Sequence, residues 1–138
     1  MASVTRSRFL QADPETVKDV ITNDVPGFIR AAGYDSVSVD GDRIGIERRL
    51  GLATLSLTLR PIDADESTLA FEQESGLFEE MTMHYVVEST DGGSELTART
   101  EFTLGGVTGS VLDDTVVRRQ RTSEIEDQFA YVERKIED

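Results

Sequence analysis

The chain has 138 residues, no cysteine, one histidine and a formal net charge of −13, from 27 acids against 14 basic groups. That length suits a single domain spanning the whole chain, and it is long enough to bury a core without staples. The composition excludes disulfides, thiolate nucleophiles and cysteine metal sites, and acids spread evenly along the chain argue against a nucleic-acid or anionic-membrane surface, which needs basic patches.

The N-terminal "MASVTRSRFLQ" has no apolar core of the kind a signal peptide carries, and no apolar run approaches the roughly 18 residues of a membrane span. A soluble cytoplasmic protein is expected. Residues 4 to 10, "VTRSRFL", alternate as a strand does. Asp13 is placed as an N-cap with Pro14 at the first helical position, and Val17, Val20 and Ile21 make one face of a short helix. "NDVPG" restarts the chain, and "FIRAAG" reads as a second short helix ending at Gly33.

From Tyr34 the period changes to two. "YDSVSV" and "RIGIERR" flank the turn "DGD". "LATLSLTLRP" sets Leu55, Leu57 and Leu59 on one face, and "TLAFEQE" does the same with Leu69 and Phe71. "EMTMHYVVEST" groups Met81, Met83, Tyr85 and Val87. After "DGG", "SELTARTEFTL" aligns Leu96, Ala98, Thr100, Phe102 and Leu104. "GGVTG" then breaks the strand pattern. Alternation of this kind buries one sheet face only, so a single long helix must cover that face.

The helix is "TVVRRQRTSEIEDQFAYVERKI". Ile125, Phe129, Val132 and Ile136 form an apolar stripe. Carried backwards, the stripe meets Arg121, Arg118 and Asp114. A core-facing stripe that turns to charges is expected to cover a cavity rather than solid core, with Arg118 and Arg121 held for a ligand's carboxylate or polar head. The competing reading is an Asp114–Arg118 surface pair at i,i+4 spacing. Arg48 shares strand parity with Ile44 and Ile46, Gln73 with Leu69 and Phe71, and Thr100 lies between Ala98 and Phe102. Taken singly, Arg48 and Gln73 read as strand-end residues. As a set these polar groups fit a wet cavity.

The order strand, two short helices, six antiparallel strands and a long helix resembles the START-like superfamily, also called SRPBCC or Bet v 1-like helix-grip, which includes polyketide cyclase/dehydrase relatives. "ADPETVKDVITNDVPGF" is similar to the family's "APxEVW" opening. "ESGLFEEMTMHYVVESTDGGSELTARTEFTL" is similar to its glycine, paired strands and tight turn, and "VLDDTVVRRQRTSEIEDQFAYVERKIE" looks like its closing helix. Lys18 departs from the family, which often has Trp or Phe there, and the closing helix is more acidic than usual.

The resemblance implies an α+β fold: a curved antiparallel sheet of about seven strands, with the long helix on its concave face and a cavity between them. It also implies a small hydrophobic or amphipathic ligand, such as a lipid, an isoprenoid quinone or a polyketide-like ring compound. The cavity candidates are Arg48, Gln73, Met83, Tyr85, Thr100, Phe102, Arg118 and Arg121. No catalytic residue, metal or cofactor is implied. A cyclase or dehydratase on the same fold is the alternative, with Tyr85 its best inward group, and a protein-interaction module without a ligand is the third reading. His84 alternates with Met83 and Tyr85 and belongs to the outer face. Met81 and Met83 read as plain core. A monomer is expected, with a weak dimer left open.

The bases are nearly all arginine, with Lys18 and Lys135 the two lysines. An evenly acidic, lysine-poor surface is expected of a protein from a salt-saturated cytoplasm, where excess charge maintains solubility. Self-repulsion should destabilise this chain in dilute buffer, and a screening length of about 3 Å at 1 M salt removes most of it. Thermal midpoints are therefore expected to climb steeply from low to molar KCl. A flat midpoint would remove the salt-adapted reading.

Overall fold

A computed structural model describes residues 1–64, 66–104 and 113–138. "GGVTG" and the rest of the connection into the last helix lie outside the described residues. The elements follow the expected order: β1 (Ala2–Leu10), α1 (Pro14–Asn23), α2 (Val25–Arg30), β2 (Ser36–Asp40), β3 (Arg43–Leu50), β4 (Ala53–Pro61), β5 (Leu69–Gly76), β6 (Phe78–Thr90), β7 (Gly93–Leu104) and α3 (Asp114–Glu137). The strands form one antiparallel sheet in the order β1-β7-β6-β5-β4-β3-β2. Because β1 pairs with the last strand, α1 and α2 must carry the chain from one sheet edge to the other. This is the curved-sheet, helix-grip arrangement expected from the sequence.

The helix starts are fixed by aspartates. Asp13, Asp24 and Asp113 each accept a hydrogen bond from the backbone N–H three residues on, at 2.9–3.0 Å. Each satisfies a donor that the first turn leaves free. Period-two patterning places the core as expected. Met81, Met83, Tyr85 and Val87 of β6 are buried, as are Leu96, Ala98, Thr100 and Phe102 of β7. His84 falls on the opposite face, half-buried, with its Nδ1 3.3 Å from Ser67 Oγ.

Between β4 and β5 the register shifts at Thr58/Leu59, and Gly76 (φ 143°) closes the bulge against Leu57, where a Cβ would lie 2.5 Å from the Leu57 Cβ. Only glycine fits that approach. Gln73 explains itself at this place. Its side-chain amide accepts from Phe78 N–H at 3.0 Å and donates to Phe78 C=O at 2.8 Å. It substitutes for the β5–β6 ladder, which pairs only Leu69–Glu72 with Thr82–Tyr85.

The helix α3 is held to β1 as well as to the core. Arg8 bonds both Glu126 and Glu133 and stacks over the Phe129 ring at 5.4 Å, and Arg6 bonds Glu126 at 3.2 Å. Ile125, Phe129 and Val132 are fully buried, as the stripe requires. Phe129→Ala should therefore cost about 3–5 kcal/mol by denaturant unfolding at fixed salt. Tyr131 is half-buried at the edge of the core, 6.4 Å from the Phe28 ring, so its contrast with Phe129 is smaller than a fully solvated position would give. Tyr131→Ala should still lose clearly less. Equal losses at the two positions would put the helix in a different rotation from the one described.

Candidate functional site

The N-terminal half of α3 does not continue the stripe in the phase the sequence indicates. Arg118 and Asp114 are exposed, whereas Val117, Arg121 and Glu124 are buried. At 3.6 residues per turn, the step from Ile125 back to Val117 rotates the buried face by about 80°. The surface under this half is the sheet end carrying β3 and β4 together with Tyr34, and the helix turns the Val117 side towards it. Arg118 is thereby corrected to a solvent-facing residue, while Arg121 is inward as expected.

Around Arg121 the chain has assembled a buried polar cluster. Glu124, one turn on, is 3% exposed. It accepts from Arg121 Nη1, from Arg48 Nε at 3.2 Å and from the Tyr34 hydroxyl at 3.1 Å. Arg121 Nη1 also donates to the Tyr34 oxygen at 3.1 Å. Arg48 reaches across from β3, donates to the Ala32 carbonyl at 2.9 Å and stacks on the Tyr34 ring at 5.3 Å. Gln120 closes the ring at 3.4 Å from Glu124. Burial opposes the Arg121 charge, and the Tyr34 oxygen and Glu124 carboxylate more than restore it, so its pKa is raised. Burial also pushes the Tyr34 hydroxyl well above its ordinary 10.0, with Arg121 opposing.

This cluster forms one wall of a cavity of about 40 Å³. The other walls are apolar: Ile46, Leu55 and Leu57 from β3 and β4, Phe78, Met81 and Met83 from β6, and Val117 from α3. Such a volume holds about three waters, at the roughly 10–15 Å³ each requires. Arg121 Nε is buried and makes no hydrogen bond to a protein group.

The remaining candidates stand outside the cavity, although Tyr85 adjoins Arg121 closely enough for that guanidinium to oppose the effect of burial on its hydroxyl. Tyr85, Thr100 and Phe102 are buried but do not line this cavity. Tyr85 donates to Gln128 Oε1 at 2.9 Å, Gln128 donates to the Phe28 carbonyl at 3.2 Å, and the Phe28 ring meets Tyr85 edge-on at 4.9 Å. This second polar chain plugs the other half of the space beneath α3. Thr100 donates to the Thr82 carbonyl at 2.9 Å, and Phe102 packs on Phe78 at 5.5 Å. Gln73 is likewise a ladder residue and does not line the cavity. Of the eight candidates, the cavity brings together Arg48, Met83 and Arg121. Met83 and Met81 are core residues and cavity walls at once.

Sequence reasoning missed Tyr34, Glu124 and Gln128. The signal was present: Gln120, Glu124 and Gln128 step by four beside Arg121, a polar row on the inward side of the helix.

No family model and no curated protein matches this chain. Solved structures with low identity do. A protein of Thermus thermophilus is 17% identical with a TM-score of 0.75, over 98% of this chain and 97% of that one. The Zhui aromatase/cyclase of Streptomyces sp. R1128 is 16% identical with a TM-score of 0.71, over 98% and 95%. A START superfamily protein of Mycobacterium smegmatis is 9% identical with a TM-score of 0.70, over 98% and 97%. These matches establish the START-like, Bet v 1-like helix-grip fold over nearly the whole chain. Among the described residues, no helix is long and apolar enough to cross a membrane.

Tyr85, buried, and Tyr34, half-buried with its hydroxyl inside the polar cluster, give the site a pH signature. Tyr34 and Tyr85 are both raised above 10.0, chiefly by burial. A raised folded pKa means that the unfolded chain loses its proton first as pH climbs. The associated stability is complete below about pH 10 and falls from there towards the folded values. Tyr34 and Tyr85 should therefore ionise only with unfolding in a spectrophotometric alkaline titration. Their ionisation near pH 10 with the fold intact would contradict the buried cluster.

Proposed function

We propose that this protein binds or carries a small hydrophobic or amphipathic ligand in the cavity between α3 and the sheet. The observation that carries the reading is the cavity itself, lined by apolar side chains of β3, β4, β6 and α3 with the Arg48–Glu124–Arg121 cluster at its side. An apolar cavity with a few placed polar groups is the usual form of a small-molecule site. Its volume of about 40 Å³ is far below the roughly 300–1,000 Å³ of occupied ligand pockets. The described state is a closed one, which a ligand has to widen. Met81 and Met83 are suited to that, being unbranched walls that repack at low cost.

A cyclase- or dehydratase-type activity is the second reading. It is favoured by the Tyr34–Glu124 pair on the cavity wall and by one fold neighbour being an aromatase/cyclase. Binding is preferred, because Glu124 is committed to two guanidiniums and the Tyr34 proton is committed to Glu124. A pure interaction module would present an exposed apolar patch. Apart from the terminal Met1, the exposed large apolar side chains among the described residues are Phe9, Val39 and Leu52, on β1, on β2 and in the β3–β4 turn. Since β1 and β2 are opposite sheet edges, these do not compose one surface.

Leu55 lines the cavity and is half-buried, so Leu55→Trp should fill the space with little loss of fold. Wild type is expected to bind Nile red at one site, and organic extraction of the purified protein should release an amphiphile seen by mass spectrometry. Leu55→Trp should weaken dye binding about tenfold or more, the equivalent of about 1.4 kcal/mol. No dye binding by wild type, or equal binding by the variant, would defeat the cavity reading.

A further inference from the structure

A second apolar recess lies at the other end of the sheet, and the guest it implies rests on the binding function proposed for the cavity. Between α2 and the β2–β3 turn opens a hollow of about 230 Å³, more than five times the volume of the cavity. Val25 and Pro26 of α2, Val39 of β2, Ile44 of β3, and Leu69 and Phe71 of β5 line it, with the exposed Asp42 at the turn. Val39 is 48% exposed, whereas Ile44 and Phe71 are 4% and 2% exposed, so the hollow runs from the surface to the core. The two recesses are one side chain apart. On β3 the inward neighbours Ile44 and Ile46 line one each. On β4 Leu57 lines the cavity and Pro61 the outer hollow, and Leu59 stands between them, fully buried and paired in register with Ile44. Phe71 of the outer hollow is paired with Met83 of the cavity. Same-face neighbours on a strand lie about 7 Å apart, so the partition is a single aliphatic layer around Leu59.

We propose that the guest is a linear apolar chain that enters between α2 and the β2–β3 turn, fills the outer hollow and passes Leu59 so that its end occupies the cavity. A flexible chain is narrow enough to pass a partition opened by a rotamer change at Leu59, whereas a rigid ring system needs whole elements to part. This entry leaves α3 in place, with both the Glu124 cluster and the Tyr85–Gln128 chain intact. The outer lining is apolar apart from the turn, so recognition there is the burial of CH₂ groups. An extended peptide fits less well, because its backbone N–H and C=O groups would lose water without finding partners. The polar end of the chain stays in solvent beside the turn.

The test is a titration at fixed high salt with 1-butanol, 1-decanol and 1-adamantanol, the last two having the same number of carbons. Binding is read by NMR on side-chain methyl resonances and on NOEs between alcohol and protein. 1-Butanol should touch Ile44 and Leu69 of the outer hollow alone. 1-Decanol should give NOEs, in one complex, to Ile44 and Leu69 and to Met81 and Met83 of the cavity. Affinity along the straight-chain series should rise about fourfold per added carbon, as burial of each CH₂ implies. 1-Decanol should bind about tenfold or more tighter than 1-adamantanol, because more of its CH₂ groups are buried.

Val39 is exposed on an edge strand, so Val39→Glu should fold as wild type does. A carboxylate in the outer hollow should weaken 1-decanol binding about tenfold or more. Leu55→Trp, which fills the cavity, should keep 1-butanol binding and lose the contacts of 1-decanol with Met81 and Met83. No binding of 1-decanol, NOEs confined to one recess, equal affinity for 1-decanol and 1-adamantanol, or a 1-decanol affinity unchanged in Val39→Glu overturns the shared chain. The cavity reading stands through any of these where wild type binds Nile red and Leu55→Trp binds it more weakly. If Nile red fails as well, the cavity reading falls with the proposal.

Discussion

The conformation of this protein is organised around one buried carboxylate. Glu124 sits on α3 between Arg121 of the same helix, Arg48 of β3 and the hydroxyl of Tyr34, which follows α2. Three parts of the chain distant in sequence are tied to a single group. Taking these charges out of water costs several kcal/mol per ion, and the geometry repays it only because each partner is held. Losing one partner would leave an uncompensated buried charge, typically a loss of about 3–5 kcal/mol. The cluster therefore fixes the rotation of the N-terminal half of α3 more firmly than its apolar residues do. Val117 is the one fully apolar buried residue there, against three consecutive inward turns, Ile125, Phe129 and Val132, in the other half.

The space under α3 is divided by two polar chains of different character. Tyr85, Gln128 and the Phe28 carbonyl form a neutral chain whose members are buried and paired, and aromatic packing fills the room around it. The Arg48–Glu124–Arg121–Tyr34 cluster is charged and borders the cavity. The first is a plug and the second is a wall. Both are anchored on α3 within two turns, so any widening of the cavity by a shift of this half of the helix would strain Gln128. Side-chain movement of Met81 and Met83, which belong to β6, avoids that cost.

Much of the fold was legible because it follows from periodicity. Alternation in β6 and β7 named the inward residues, and Asp13–Pro14 named the start of α1. The candidate site was legible only in part. Arg121, Arg48 and Met83 fell where parity and phase put them. Arg118 did not, because extrapolating a stripe assumes a straight seam, and here the covered surface changes beneath the helix. Gln73 and Thr100 were inward polar residues, as parity indicated, but their partners are backbone groups. Gln73 repairs a gap in the β5–β6 ladder, and such a gap depends on pairing register rather than on composition. Glu124 was hidden because an acid beside Arg121 on an acidic helix looks like solvated charge. Tyr34 was hidden because its burial depends on a helix some 90 residues later in the chain.

The surface and the interior of this protein carry opposite electrostatic messages, and their ranges decide how they combine. The chain as a whole is at −13, whereas the buried cluster counts +1, two guanidiniums against one carboxylate. Surface charges act through solvent and are screened, with a Debye length of about 10 Å at 0.1 M salt and about 3 Å at 1 M. The Arg121–Glu124 and Arg48–Glu124 pairs act over single hydrogen bonds within the buried cluster and are screened far less. Salt therefore separates the two, weakening the surface repulsion while sparing the buried pairs. The buried pairs are thus the part of the electrostatics that salt leaves alone, and any dependence of stability on salt reports the surface.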